Sequence, residues 1–172
     1  MRIVVHHEVR PESLNAILRD GIRCDDEGEK SDDVIRLTDD CLQSRQPADL
    51  AARGVSRSSV VYGYLSVDGK LVDIRTGDEV DAERFTAGRE QVLLSITVES
   101  TDCFVSDLDA YDAVKMCVDS GAEETLLTRL ADRYWARVVP FDDYEAGLYR
   151  RPEVMVVKDV APEAITVVTP GG

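Results

Sequence analysis

Ser58-Ser59-Val60-Val61-Tyr62-Gly63-Tyr64-Leu65-Ser66-Val67 decides the fold, because this run of β-branched and aromatic residues ends on Asp68-Gly69. Such side chains suit a pleated, half-buried surface, and Asp-Gly between two apolar runs is a strong hairpin signal. The stretch therefore predicts a central strand that turns back as a partner strand from Lys70 to Ile74. Working outward, residues 2–8 (Arg-Ile-Val-Val-His-His-Glu) read as an opening strand. Residues 91–98 (Gln-Val-Leu-Leu-Ser-Ile-Thr-Val) read as a buried strand after a polar connection from Thr76 to Arg89. The last third holds Glu153-Val154-Met155-Val156-Val157, followed by Pro162-Glu163-Ala164-Ile165 and a terminal strand near residues 166–168.

Helices are interspersed among these strands. Pro11 suits a first helical turn, Glu12 favours its positive end, and Leu14, Ile17 and Leu18 recur at helical spacing until Gly21. Residues 36–54 read as short helical pieces, with Leu37, Cys41 and Leu42 on one stripe and Pro47 opening a second piece that ends at Gly54. Asp107 is expected to cap a helix running to about Val118. Ser120-Gly121-Ala122-Glu123 matches the S-x-x-E capping box, ahead of a stripe of Leu126, Leu127, Leu130 and Trp135 on a helix ending near Arg137. The acidic stretch from Cys24 to Asp33 reads as an exposed loop. Its Asp25, Asp26, Glu27 and Glu29 lack the spacing of a calcium loop. The pattern as a whole is α+β.

Length and charge narrow the class. The chain has 172 residues, 44% hydrophobic and 31% charged, which suits one domain over residues 1–172. No run reaches the roughly 18–20 apolar residues of a membrane span, and no signal-peptide pattern opens the sequence, so a cytoplasmic protein without membrane partners is expected. A formal charge of −14 disfavours a generic basic groove for nucleic acid or anionic lipid. Asp (21) outnumbers Glu (13), and 4 Lys stand beside 16 Arg. That bias suggests a halophilic protein of a salt-adapted cytoplasm, where repulsion between carboxylates is screened over about 3 Å at 1 M salt. Cys24, Cys41, Cys103 and Cys117 form no CxxC pair, so neither zinc nor a disulfide framework is expected.

Familiar catalytic motifs are absent. There is no G-x-S-x-G, no phosphate-binding Walker loop and no G-x-G-x-x-G, which removes local support for hydrolase, NTPase and dinucleotide-fold readings. The two histidines, His6 and His7, are neighbours in the first strand and must point to opposite faces. Tyr62 and Tyr64 share a face, either filling a core or offering a surface for a flat ring. Glu153 opens an otherwise apolar strand directly after Arg150-Arg151-Pro152.

In order, a histidine on the first strand, aromatics on a middle strand and a glutamate opening a late strand resemble the ADP-ribosyltransferase superfamily, in its His-Tyr-Glu branch. There the first strand reads like Y-H-G-T and a helix ends in I-L-x-x-G-[LI]; here His7 is followed ten residues later by Ile17-Leu18-Arg19-Asp20-Gly21-Ile22. Arg151-Pro152-Glu153-Val154-Met155-Val156 with Val160-Ala161-Pro162-Glu163-Ala164-Ile165 looks like the E-V-L-V…V-P-P-E-x-I ending of bacterial members, including the DarT-like DNA-modifying toxins. The sequence departs from the pattern where Glu8-Val9 replace Gly-Thr and His6 replaces the tyrosine. The resemblance covers the two ends of the chain and not residues 68–135.

The resemblance implies a mostly antiparallel, mixed and split β-sheet with flanking helices, and NAD as substrate. It implies a mono-ADP-ribosyltransferase or NAD glycohydrolase, of the kind found among toxins and defence effectors. Glu153 takes the catalytic role beside the ribose, where positive charge develops as the nicotinamide bond breaks. His7 (or His6) binds the adenosine ribose, Tyr62 or Tyr64 stacks on nicotinamide, and Arg57 with Arg150 or Arg151 grips the pyrophosphate. No metal is implied. The acceptor is left open among nucleic acid, protein and small molecules, and a toxin would carry an antitoxin partner. Alternatives are an inactive ADP-ribosyltransferase-like binding module, an RNA 2′-phosphotransferase-type enzyme, and an unrelated acidic α+β interaction protein.

Overall fold

A computed structural model describes residues 1–24 and 32–169. Of the acidic stretch, residues 25–31, and with them Asp25, Asp26, Glu27 and Glu29, lie outside the described residues. The chain opens with β1 (Arg2–Val9), a 3-10 turn over Pro11–Ser13 and α1 (Leu14–Asp20). Gly21 ends α1 at φ 85°, and a Cβ there would stand 2.3 Å from the Val160 carbonyl oxygen. Only glycine suits this left-handed, crowded corner, where the Ile22 and Val160 backbones exchange hydrogen bonds of 2.9 and 2.8 Å.

Next come α2 (Asp33–Gln43), α3 (Ala48–Ala52), β2 (Val61–Val67) and β3 (Lys70–Val72). Asp68 (φ 51°) and Gly69 (φ 79°) are both left-handed, as a two-residue hairpin turn matched to strand twist requires. The polar connection predicted after this hairpin contains β4 (Glu79–Asp81) and α4 (Ala82–Phe85) before β5 (Val92–Glu99). β6 (Cys103–Asp107) leads into α5 (Leu108–Asp119), whose first turn the Asp107 carboxylate caps by accepting from the Asp109 N–H. Then follow α6 (Glu124–Trp135), β7 (Val139–Pro140), β8 (Pro152–Val156) and β9 (Ile165–Val167).

The strands form an open sheet in the order β7-β6-β8-β2-β1-β5-β9, with β3 and β4 extending from β2. Every pairing among the described strands is antiparallel, so the sheet is less mixed than expected. Its hydrogen-bonded path is continuous rather than divided. A partial split exists between β1 and β2, which pair only through Val5↔Leu65 and His6↔Tyr64 and part beyond them. Gly63 stands at the parting; a Cβ there would meet Val5 Cγ1 at 2.4 Å and the His6 carbonyl oxygen at 2.7 Å.

Two apolar layers cover the sheet. On one face, Phe104 and Met155 pack with α2, α5 and α6 through Leu42, Val114, Ala131 and Trp135. On the other, Val5, Val61, Val154 and Val156 pack against α1 and the C-terminal turn through Leu14, Ile17 and Ala164. β8 lies between β2 and β6 with all five residues buried, which explains its nearly continuous apolar sequence. Two local expectations fail. Ser120 is the C-cap of α5, its hydroxyl donating to the Cys117 carbonyl, Gly121 turns left-handed at φ 65°, and α6 starts at Glu124 without a side-chain cap. In α2 the buried residues are Thr38, Asp39 and Leu42, while Leu37 is exposed. No helix among the described residues is long and apolar enough to cross a membrane.

Candidate functional site

The parting of β1 from β2 opens a cavity of about 700 Å³ between α1 and the segment entering β2. His7, Tyr62 and Arg57 line it, with Glu12, Asp20 and Arg23 also in its wall. His7 spans the parted strands, its Nδ1 lying 2.6 Å from the Tyr62 carbonyl oxygen. A carbonyl only accepts, so Nδ1 carries the proton and neutral His7 keeps Nε2 as an acceptor. Burial pushes His7 below its ordinary pKa; the Tyr62 carbonyl and the Glu8 charge oppose that shift without cancelling it.

Behind the cavity lies a buried ionic cluster centred on Arg57. Its Nε donates to Asp39 Oδ1 (3.1 Å), and its Nη1 donates to Glu153 Oε2 (2.9 Å) and to the Tyr134 hydroxyl (3.0 Å). The guanidinium carbon lies 4.5 Å from the Tyr62 ring centroid and 4.4 Å from that of Tyr111. The backbone is fixed as well: the Arg57 N–H donates to Gln43 Oε1 (2.9 Å), and the Tyr62 hydroxyl donates to the Arg57 carbonyl (2.5 Å). Burial works against the Arg57 charge, but the oxygens of Tyr134, Tyr62, Glu153 and Asp39 outweigh it and hold the guanidinium well above its usual pKa. Burial also pushes the phenols of Tyr62 and Tyr134 up, against the pull of Arg57, so both remain protonated donors. Nη2 has no hydrogen-bond partner among the described residues, and Arg57 belongs to the cavity wall.

Glu153 is 8% exposed and is not in the cavity wall. Besides Arg57 it accepts from Ser106 Oγ at 3.4 Å. It stands on a polar register line, Ser95-His6-Tyr64-Glu153-Ser106, that crosses β5, β1, β2, β8 and β6. His6, Tyr64 and Glu153 are therefore cross-strand neighbours on one face, and His7 faces the other way. His6 is 5% exposed, its Nδ1 has no partner among the described residues, and burial lowers its pKa.

The remaining residues expected at the site lie elsewhere. Tyr64 shares a face with Tyr62 but is buried edge-on against Phe85, 5.1 Å between ring centroids, with its hydroxyl on Glu8. It fills core, and only Tyr62 reaches the cavity. Arg151 donates to Asp109 (3.1 Å) and Asp112 (2.6 Å), and Arg150 also holds Asp109 (2.6 Å). Neither arginine is in the cavity wall; both bind the approach to β8 onto α5. Asp39, Tyr111 and Tyr134 complete the Arg57 cluster, and no sequence motif marks them. The signal for Asp39 was present in the helical period of α2, but a carboxylate at an inward position reads as a solvated one without its partner in view. No family model matches the chain, and no curated protein or solved structure matches it.

Proposed function

We propose that the protein is an NAD-dependent mono-ADP-ribosyltransferase or NAD glycohydrolase, and that the cavity at the parting of β1 and β2 takes NAD. One observation carries the reading: His7 from the first strand meets Arg57 and Tyr62 at one cavity, with Glu153 bonded to the back of Arg57. His7 Nε2 accepts from a ribose hydroxyl, Arg57 Nη2 donates to a pyrophosphate oxygen, and Tyr62 offers the aromatic wall for nicotinamide. As the bond between nicotinamide and ribose breaks, positive charge spreads over the sugar. Glu153, bonded to the back of Arg57, is the carboxylate assigned to stabilise that charge. The ADP-ribosyl group passes to water or to an acceptor.

A binding module that holds NAD without cleaving it is the second reading. It is favoured by the burial of Glu153 and its bond to Arg57, which keep the carboxylate out of the cavity wall. Titration with NAD in molar KCl tests what both readings share. Saturable binding that weakens about fivefold in His7→Ala, the value of one ordinary hydrogen bond, is the expected result. Absence of binding by folded wild type would overturn both.

A further inference from the structure

We propose that Asp39 is a positioning residue, which fixes the Arg57 guanidinium so that Nη2 is presented to an anionic oxygen in the cavity. A guanidinium on a free side chain rotates, and each orientation lost on binding weakens the contact. Here three of its features are fixed independently. Asp39 Oδ1 holds Nε at 3.1 Å, Glu153 and Tyr134 hold Nη1, and Tyr62 and Tyr111 flank its plane. Of these, only Asp39 acts on Nε, the atom whose hydrogen bond sets rotation about the end of the side chain. Asp39 is itself fixed. It is 4% exposed on α2, and the Tyr111 hydroxyl donates to the same Oδ1 at 3.1 Å.

The proposal concerns an anion, and it rests on the NAD reading only for that anion's identity as a pyrophosphate. Its sign separates it from simple electrostatics. Asp39 is a negative charge close to the anion-binding nitrogen, so neutralising it without disturbing Arg57 would tighten anion binding. Loss of positioning has the opposite effect.

The experiment is calorimetric titration of the whole protein with inorganic pyrophosphate and, separately, with ADP-ribose. It compares wild type, Asp39→Asn, Asp39→Ala and Asp40→Asn, a control that removes a charge from the exposed side of the same helix. Thermal melts report folding. Wild type and Asp40→Asn are expected to bind pyrophosphate alike. Asp39→Ala should bind about tenfold more weakly, the loss of one charge-assisted hydrogen bond, and Asp39→Asn, which keeps an oxygen for Nε, should fall between. Pyrophosphate binding by a folded Asp39→Asn that equals or exceeds wild type would overturn the proposal, as would a wild type that ignores pyrophosphate. The asparagine variant decides the matter if the alanine variant does not fold. Binding of pyrophosphate but not ADP-ribose would leave the role of Asp39 standing and remove the NAD reading. ADP-ribose binding without pyrophosphate binding would do the reverse.

Discussion

Replacing Arg57 with methionine removes the only cation hydrogen-bonded to Glu153 among the described residues and leaves two carboxylates, Asp39 and Glu153, in a buried site. Removing one partner of a buried ion pair costs about 3–5 kcal/mol, because the charge left behind is no longer compensated. Lost contacts with the Tyr62 and Tyr111 rings add to this, while the methionine returns part of it by filling space. In a chain of this size each kcal/mol moves the melting midpoint by about 2–4 °C, so Arg57→Met should melt about 6–20 °C below wild type. The assay is calorimetric melting in molar KCl at pH 7.5. Adding Asp39→Asn and Glu153→Gln to Arg57→Met should recover more than half of the deficit. A single variant melting within 2 °C of wild type, or a triple variant no better than the single, would refute the claim that this cluster is ionic and buried.

Further expectations concern the strands on either side of the cavity. Gly63→Ala sets a methyl group against the His6 carbonyl oxygen at 2.7 Å, and backbone cannot turn aside. It should cost about 1–3 kcal/mol and loosen the β1–β2 junction, seen as faster amide exchange at Val5 and Leu65. Because burial depresses the folded-state pKa values of His6 and His7, the stability they confer is complete above the unfolded value of about 6.5 and is lost as pH falls through the folded values. The unfolding free energy should therefore decline from about pH 6.5 downward. His6→Leu, which also removes a buried nitrogen without a partner among the described residues, should flatten that decline without lowering stability at pH 7.5. An unchanged slope would show that His6 is not buried as a neutral group.

The sequence was most legible where one rule acted alone. Asp68-Gly69 could serve only as a turn, Gly21 ended its helix, Asp107 capped another, and the apolar run after Glu153 had to be a buried strand. It was least legible where two rules competed. Ser120-Gly121-Ala122-Glu123 has the spacing of a capping box, but a left-handed Gly121 closes α5 first, so the motif straddles two helices. Cys103-Phe104-Val105-Ser106-Asp107 is buried throughout, yet five residues without alternation gave no strand period to read. α2 misled for the most informative reason. Its inward face carries Thr38 and Asp39 because it supports Arg57, so the usual equation of inward with apolar placed the stripe on Leu37. Of the residues named from sequence, His7, Tyr62 and Arg57 line the cavity and Glu153 stands behind it, but nothing local in sequence says that Arg57 lies between the cavity and Glu153.

The central claim is that this cavity binds NAD and that Glu153 acts on it. Nicotinamide release from NAD by the purified protein in molar KCl, with and without protein, DNA and RNA acceptors, tests it most directly when Glu153→Gln is run beside wild type. Release by wild type is expected, with most of that release lost in a variant that stays folded and still binds NAD. Equal release by the variant would remove Glu153 from catalysis. No release by folded wild type under every acceptor condition would contradict the enzymatic reading.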